Sequence, residues 1–237
     1  MTDYAGISKK MVAILGLKNE PVAVSLIKKD QAIPSGYAEP ETNLRHCQSI
    51  MRARKGESLV IPASKHACHV GASALGMVPT PEKVSSGELH YNLGMFETPE
   101  AARKMIAKRP TIEMGSIVAT VVSPLSKARI DPDVVVVIGV PEQIYWLMPV
   151  AATYNSGGRI CADTASFQAT CVDATIIPYL TGNTNISLGC FGCRKATDIA
   201  PEEMLVGIPG SKLELIVAVL EKMGAGPIPK SRARVDL

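Results

Sequence analysis

Two kinds of hydrophobic pattern alternate along the chain. Uninterrupted apolar runs bounded by Gly, Pro or Asp predict short strands, and apolar stripes repeating every three to four residues predict amphipathic helices. The clearest strands are residues 117–122 and 134–138, and shorter ones are predicted at 21–27 and 58–62. The run 134–138 shows no polar alternation, which indicates a strand buried on both faces.

Capping residues mark where the predicted helices begin and end. Asn43 precedes an apolar stripe that reaches about residue 54, and Ser64 precedes another that reaches Gly76. Thr98 is followed by Pro99 at the first helical position, where the missing N–H costs nothing. The same kinds of signal predict further helix boundaries at Gly16, Pro141, Asp163, Ser211 and Gly224.

Strands that alternate with helices are typical of an α/β fold. We therefore predict one α/β domain with a largely buried mixed or parallel sheet flanked by helices. No repeat or low-complexity linker divides the chain, so the domain is expected to span residues 1–237. Its core is expected at about 20–223, followed by a basic tail at 224–237.

Composition narrows the possible classes of function. Hydrophobic residues make up 46% of the 237 residues and aromatic residues only 4%, so the core must be aliphatic. The formal net charge is +3, and basic residues gather in the tail at Lys230, Arg232 and Arg234, which does not resemble a nucleic-acid interface. No run approaches the roughly 18 apolar residues of a membrane span, and no signal peptide is recognisable. We expect a cytoplasmic protein that binds neither nucleic acid nor membranes.

The six cysteines are the main candidates for chemistry. Disulfides are rare in the reducing cytosol, so a set of this size more often indicates metal binding or redox chemistry. Cys190 and Cys193 form a CxxC pair on a glycine-flanked turn. Cys47 and Cys68 fall near the first turns of predicted helices, where the helix dipole and free N–H groups favour a thiolate. Cys171 lies within another predicted helix.

Several sequence segments occur together in a characteristic order. They include CQSIMRARKG from residue 47, HACHVG from 66, FQATCVD from 167, LGCFGCR from 188 and VGIP from 206. Together they resemble the archaeal and bacterial family of domain of unknown function 169, also called ArCR, over about residues 20–220. The resemblance implies a single-domain cytoplasmic protein, often of anaerobes, with no established reaction. It also implies cysteine at the positions of Cys47, Cys68, Cys171 and Cys190, with Cys193 more variable.

The cysteine pattern favours an iron–sulfur cluster. Four thiolates from separate elements can surround a [4Fe–4S] cluster, for which full cysteine ligation is usual. We predict such a cluster, serving electron transfer or the binding of a small ligand, with ligands drawn from Cys47, Cys68, Cys171, Cys190 and Cys193. Arg194 is predicted to lie beside this cofactor, where its charge would favour the reduced form. Cys161 is interpreted as a core residue.

Two alternatives stay open. A structural zinc site would need a second chelating pair beside the CxxC, and His66 with His69 has a spacing that can place both rings on one helix face. A thiol–disulfide enzyme would use Cys190 and Cys193, with Arg194 stabilising a thiolate, but it leaves the other cysteines unexplained. The expected partner is a redox protein or a small molecule, and homo-oligomer formation is a further open alternative.

Overall fold

A computed structural model describes residues 2–224 of the chain, and the predicted basic residues Lys230, Arg232 and Arg234 lie outside the described residues. Six strands form one sheet. They are β1 (Val22–Lys28), β2 (Leu59–Pro62), β3 (Ile117–Pro124), β4 (Val134–Gly139), β5 (Asn185–Ser187) and β6 (Met204–Pro209). Their spatial order is β2-β3-β1-β4-β6-β5, and every neighbouring pair is antiparallel.

The α/β prediction is confirmed, but the predicted mixed or parallel strand arrangement was wrong. It rested on helices that alternate with strands and on strands without polar alternation. β5 and β6 are joined through a helix and still pair antiparallel, because that connection returns the chain to the same end of the sheet. Helices cover both faces of this sheet, so its strands are apolar on both sides whatever their direction.

Helices flank the sheet on both faces. The α-helices are α1 (Tyr4–Leu15), α2 (His46–Arg54), α3 (His69–Ala74), α4 (Glu82–Ser85), α5 (Glu88–Asn92), α6 (Pro99–Ala107), α7 (Pro141–Tyr145), α8 (Ile177–Thr181), α9 (Phe191–Ala196) and α10 (Leu213–Met223). The first π-helix, Trp146–Ala151, continues α7, and the second π-helix, Ala169–Ile176, runs into α8. Short 3-10 turns occupy Ala63–Lys65, Leu125–Lys127 and Gly210–Lys212. Within residues 2–224, no helix has the length and apolar character needed to cross a membrane.

The central strands alternate their side chains between two cores. Val135 and Val137 of β4 pack in the core formed with α1, the first π-helix and α10. Val134 and Val136 pack on the opposite face, in a core that also contains residues of α2 and the second π-helix. All residues of β4 are buried, which confirms the prediction of a strand covered on both faces. The cysteines described below lie on the α2 side.

Several helix boundaries differ from those predicted. Gly16 ends α1 in the left-handed conformation, and Thr98 caps α6 by accepting the Ala101 N–H, both as predicted. Ser64, however, lies in a 3-10 turn, and the helix predicted to begin at Asp163 begins only at Ala169. A polar residue before an apolar stripe can cap a helix, but tertiary packing decides where helical backbone begins.

Candidate functional site

Three of the cysteines are packed together beneath the surface. Cys47, Cys190 and Cys193 form one buried group with Ala169, the first residue of the second π-helix. The Sγ atoms of Cys190 and Cys193 are 3.2 Å apart. The hydroxyl of Thr170 lies 3.0 Å from the Sγ of Cys193. The CxxC turn therefore faces the amino end of the second π-helix.

Two further cysteines adjoin this group. A Cβ atom at Gly71 would lie 3.5 Å from the Sγ of Cys171 and 3.8 Å from the Sγ of Cys68. A charge on Cys171 would interact with charges on Cys68, Cys190 and Cys193. The five predicted cysteine ligands thus come together in one place, which we call the thiol cluster: Cys47, Cys68, Cys171, Cys190 and Cys193.

The remaining cysteine and the predicted histidine pair differ from what the sequence predicted. Cys161 is exposed, so its interpretation as a core residue was wrong. His69 is the exposed first residue of α3, whereas His66 precedes that helix and is buried. The two rings therefore do not share a helix face. Across residues 2–224, no group of three or more His, Cys, Asp and Glu residues is arranged to hold a metal ion.

Backbone pairing between distant segments assembles the thiol cluster. Leu44 and His66 form an isolated parallel bridge, which places the segment before α2 beside the segment before α3. The amide of Gln48 in α2 donates to the carbonyl of Ala196 at the end of α9, over 3.2 Å. These contacts bring α2, which carries Cys47, beside the segment before α3 and beside α9.

Backbone N–H groups point at two of the sulfurs. Cys68 is the N-cap of α3, and its Sγ accepts the N–H of Gly71 at 3.4 Å. Cys190 is the N-cap of α9, and its Sγ accepts the N–H groups of Cys193, at 3.4 Å, and of Ala169. Donors of this kind stabilise negative charge on sulfur and tune metal–sulfur centres.

The surroundings keep several of these thiols neutral. Burial raises the pKa of Cys171, and its thiol neighbours raise it further. The hydrogen bond to Cys193, together with burial, raises the pKa of Cys190. For Cys193 the hydrogen bond to Cys190 lowers the pKa, but the contact with Cys47 and burial outweigh it. A bound cation would reverse this balance, because coordination deprotonates a thiol outright.

Buried polar atoms without a hydrogen-bond partner occur on residues one to three positions before a cysteine in the sequence. They include Nδ1 of His46, both ring nitrogens of His66 and Nε2 of Gln168. Burial lowers the pKa of His46 to about 3 and that of His66 to about 4, so both rings are neutral. Buried polar groups are normally hydrogen-bonded, so these atoms are ones that a bound water or ligand can satisfy.

The second π-helix carries unusual backbone and acid–base features. It begins after Gln168, whose φ of 70° makes it the one non-glycine residue with positive φ in the described part of the chain. Burial raises the pKa of Asp173 to about 7, against hydrogen bonds from Thr164 at 2.7 Å and Ser187 at 3.2 Å. Both π-helices and strained backbone are frequent at functional sites.

Arg194 binds the backbone of its own loop. Its guanidinium donates to the carbonyls of Leu188 and Ala200 at 3.0 Å each and to that of Glu203 at 2.9 Å. These bonds hold the CxxC loop against the segment before β6. A role for Arg194 beside a cofactor stays a prediction.

Sequence reasoning missed a cation near the thiol cluster. Arg109 donates to the Val70 carbonyl at 3.2 Å, to Ser73 at 3.3 Å and to Thr80 at 3.1 Å. Burial lowers the pKa of Arg109, and the neighbouring Cys171 offsets this only in part. Nothing near Arg109 in the sequence signals this placement, because these three partners lie 29 to 39 positions earlier.

An aromatic group beside the CxxC turn was also missed. The ring of Phe167 lies 6.2 Å from that of Phe96 and 6.4 Å from that of Phe191, between their centroids. His90 packs edge-on against Phe167 at 4.4 Å. The chain has only three phenylalanines, and their rarity was the available signal.

Comparison with known proteins agrees with the sequence segments quoted above. The family model described as uncharacterised ArCR, domain of unknown function 169, matches residues 10–219. The chain belongs to this family. It is similar to the uncharacterized protein MJ0308 of Methanocaldococcus jannaschii, with 39% identity over 217 residues, which is 90% of this chain and 92% of that protein. No solved structure matches the chain.

Proposed function

We propose that this DUF169 protein binds a [4Fe–4S] cluster at the thiol cluster and uses it for electron transfer. The observation that carries the proposal is the convergence of five cysteines from four elements at one place, where all but the half-buried Cys68 are buried. Full cysteine ligation is the usual way in which proteins hold such clusters.

The charge balance of the site supports a metal–sulfur centre over free thiolates. Cys171, Cys190 and Cys193 have raised pKa values, so at neutral pH they are poor nucleophiles without a bound cation. Iron would favour the ionised sulfurs, and the N–H groups of Gly71 and Ala169 would stabilise the remaining negative charge.

Four ligands are proposed from four different elements. Cys47 comes from α2, Cys68 from the N-cap of α3, Cys171 from the second π-helix and Cys190 from the N-cap of α9. Cys193 is left as an accessory thiol, which fits its close contacts with Cys190 and the hydroxyl of Thr170.

A dithiol–disulfide function is the second candidate. The Sγ atoms of Cys190 and Cys193 are 3.2 Å apart, close enough for a disulfide after a small shift. In this case each of the two cysteines would give up one proton and one electron, and a disulfide would form between them. An external disulfide would accept both and be reduced to two thiols. The raised pKa of both thiols opposes rapid exchange.

Anaerobic purification distinguishes these functions. We expect brown protein with about four iron atoms and as many acid-labile sulfides per chain. Visible absorption, metal analysis and electron paramagnetic resonance of the reduced protein are the measurements. Colourless protein that holds zinc would replace the proposal with a zinc site. Colourless, metal-free protein with a reducible disulfide would replace it with the dithiol function.

Cysteine variants identify the ligands. Cys171→Ser and Cys190→Ala should lose iron and the visible chromophore, since an incomplete set leaves one iron poorly ligated. Cys161→Ser is the matched control and should keep both, because Cys161 is exposed and is not among the proposed ligands. Cys193→Ala should keep the chromophore and shift its potential. Equal iron loss in Cys190→Ala and Cys193→Ala would make both residues ligands and remove another cysteine from the proposed four.

A further inference from the structure

A cavity of about 270 Å³ opens to solvent at the end of β1. Its walls come from residues 25–28 of β1, from the turn at 31–34 and from the segment 130–133 before β4. None of the five cysteines lines it, so it is separate from the thiol cluster. At roughly 30 Å³ for each water of the liquid, it has room for about nine non-hydrogen atoms, the size of leucine.

A proline explains why the sheet opens here. β1 and β4 pair antiparallel as far as Val24 and Val134, so the next exchange of hydrogen bonds would join Leu26 to Pro132. Proline has no N–H to donate, and the pairing ends. The Leu26 N–H bonds instead to Oδ2 of Asp133 at 2.7 Å. The Leu26 carbonyl faces the same way as its N–H and is left as an acceptor on the cavity wall.

Asp133 supplies a half-buried carboxylate to the cavity. Its Oδ2 accepts the Leu26 N–H, whereas Oδ1 has no hydrogen-bond partner among residues 2–224. Burial raises the pKa of Asp133, and the Leu26 hydrogen bond and the charge of Lys28 offset this only in part. A cation that brings its own N–H donors would stabilise a carboxylate in this position.

Lys28 and Gln31 place donors at the mouth of the same cavity, where both side chains are exposed. The backbone N–H of Lys28 donates to Oε1 of Gln31 at 2.9 Å, and the N–H of Gln31 donates to the Lys28 carbonyl at 3.0 Å. The Lys28 ammonium forms no ion pair within residues 2–224, so it lies more than 4.0 Å from the Asp133 carboxylate. Two opposite charges therefore line one cavity without touching.

The third charged lining residue, Asp131, is already engaged. Its side chain is exposed, and its Oδ1 accepts the hydroxyl of Tyr4 at 2.7 Å. Its backbone carbonyl accepts the hydroxyl of Ser25 at 3.4 Å. These bonds fix the segment before β4 against α1 and β1, and they leave the gap between Lys28 and Asp133 open.

We infer that this cavity binds a small α-amino acid with an uncharged aliphatic side chain. The ammonium group of the ligand would donate to Asp133 Oδ1 and to the Leu26 carbonyl. Its carboxylate would accept from the Lys28 ammonium and from the free amide N–H groups of Gln31. The ligand's side chain would meet apolar lining residues: Ala32, Pro34 and Ile130. A zwitterion suits the site because it bridges two opposite charges that do not reach each other.

Three related probes test the need for both charges. L-Valine carries both, isobutylamine lacks the carboxylate, and isovalerate lacks the ammonium group. All three keep the isopropyl group, so each fragment loses one charge-assisted interaction and should bind about tenfold more weakly than L-valine. Saturation-transfer NMR titrations of the full chain give the three dissociation constants.

Two substitutions identify the groups that bind each charge. Asp133→Asn keeps an oxygen for the Leu26 N–H and removes the charge, and Lys28→Met keeps the aliphatic stem and removes the ammonium. Each should raise the dissociation constant of L-valine about tenfold. Asp133→Asn should bind L-valine no better than isovalerate, and Lys28→Met should bind it no better than isobutylamine. Asp163→Asn and Lys222→Met, at exposed positions outside the lining, are the controls and should keep the parental constants.

Two results would overturn the inference: no saturable binding of L-valine at millimolar concentration, or isobutylamine that binds the parent protein as tightly as L-valine does. Far-UV circular dichroism checks that Asp133→Asn folds, and Lys28→Met, at an exposed position, tests the inference even if it does not. Brown and colourless preparations should bind L-valine alike, because the cavity shares no residue with the thiol cluster. The amino-acid site and the proposed function therefore stand or fail independently.

Discussion

At the scale of single residues, Cys68 and Cys190 share one backbone arrangement. Each is the N-cap of a six-residue helix, and each sulfur accepts the N–H three positions later at 3.4 Å. The small residues Gly71 and Gly192 lie near these sulfurs. The two caps thus present sulfur and N–H donors to the same place from two directions.

Arg194 should act on the stability of the CxxC loop. Arg194→Ala removes donors to the carbonyls of Leu188, Ala200 and Glu203, and we expect a loss of about 1–3 kcal/mol in the free energy of unfolding. Urea unfolding followed by far-UV circular dichroism measures this. Arg194→Lys keeps the charge but cannot span three carbonyls, so it should lose nearly as much. Full rescue by Lys would instead support the predicted electrostatic role beside a cofactor.

His90 should make stability depend on pH. Burial, with a smaller contribution from Arg109, lowers the pKa of His90 in the folded protein, below the roughly 6.5 of an unfolded chain. The unfolded state then binds more protons in mildly acidic solution. The contribution of His90 to stability is therefore full above about pH 6.5 and falls as the pH drops below it, by at most about 1.4 kcal/mol per unit.

The variant His90→Leu isolates this contribution. Urea unfolding between pH 5 and 7.5 should show a flatter pH dependence for His90→Leu than for the parent protein. The control His69→Leu, at an exposed position, should keep the parental dependence. An unchanged slope in His90→Leu would show that other groups cause the acid sensitivity.

At the scale of elements, the second π-helix links the site to the sheet. It carries Cys171 and Asp173, and it begins after the strained Gln168. It rests directly on β6, where a Cβ at Gly207 would lie 2.2 Å from the Ala174 carbonyl oxygen. Only a residue without a side chain allows this approach.

Gly207→Ala should therefore disturb the site without altering a cysteine. The new methyl group would push the π-helix from β6, and we expect a loss of about 1–3 kcal/mol in stability together with reduced iron content. Thermal unfolding and metal analysis measure the two effects. Gly158→Ala in an exposed loop, where a Cβ would only meet Ser156 Oγ at 3.3 Å, should change neither. Full iron content in an intact Gly207→Ala protein would contradict this account.

At the scale of the whole molecule, one sheet couples two cores. β4 contributes Val135 to the core on one face and Val136 to the core on the other. Disruption of either core therefore loosens the strands that support both. We therefore expect the thiol cluster to depend on packing that lies across the sheet from it.

Leu147→Ala tests this coupling. Leu147 is fully buried in the first π-helix, and its truncation should cost about 2–5 kcal/mol. Far-UV circular dichroism and the visible absorbance should shift to the same lower urea midpoint. Leu215→Ala, at an exposed position of α10, should shift neither. A visible transition that stays at the parental midpoint would mean that the two faces unfold independently.

Local patterns predicted much of the fold. The buried run at β4, the Gly16 end of α1 and the Thr98 cap of α6 depend on neighbours in the chain, so the sequence alone reveals them. The start of the second π-helix did not follow from Asp163, because packing of Ala169 against distant cysteines decides it. The antiparallel direction of the strands was not predicted either, because it depends on which strands pair, and paired strands lie far apart in the chain.

The sequence by itself determined the α/β class, the aliphatic core and the choice of five cysteines. Residue type and spacing carry that information directly. The tertiary structure alone decided that these cysteines meet, that Cys161 is exposed and that Arg194 binds carbonyls. Those features depend on contacts such as the Leu44–His66 bridge and the approach of Ala174 to Gly207, which join segments far apart in the chain. Local periodicity cannot encode which distant backbone a segment will meet.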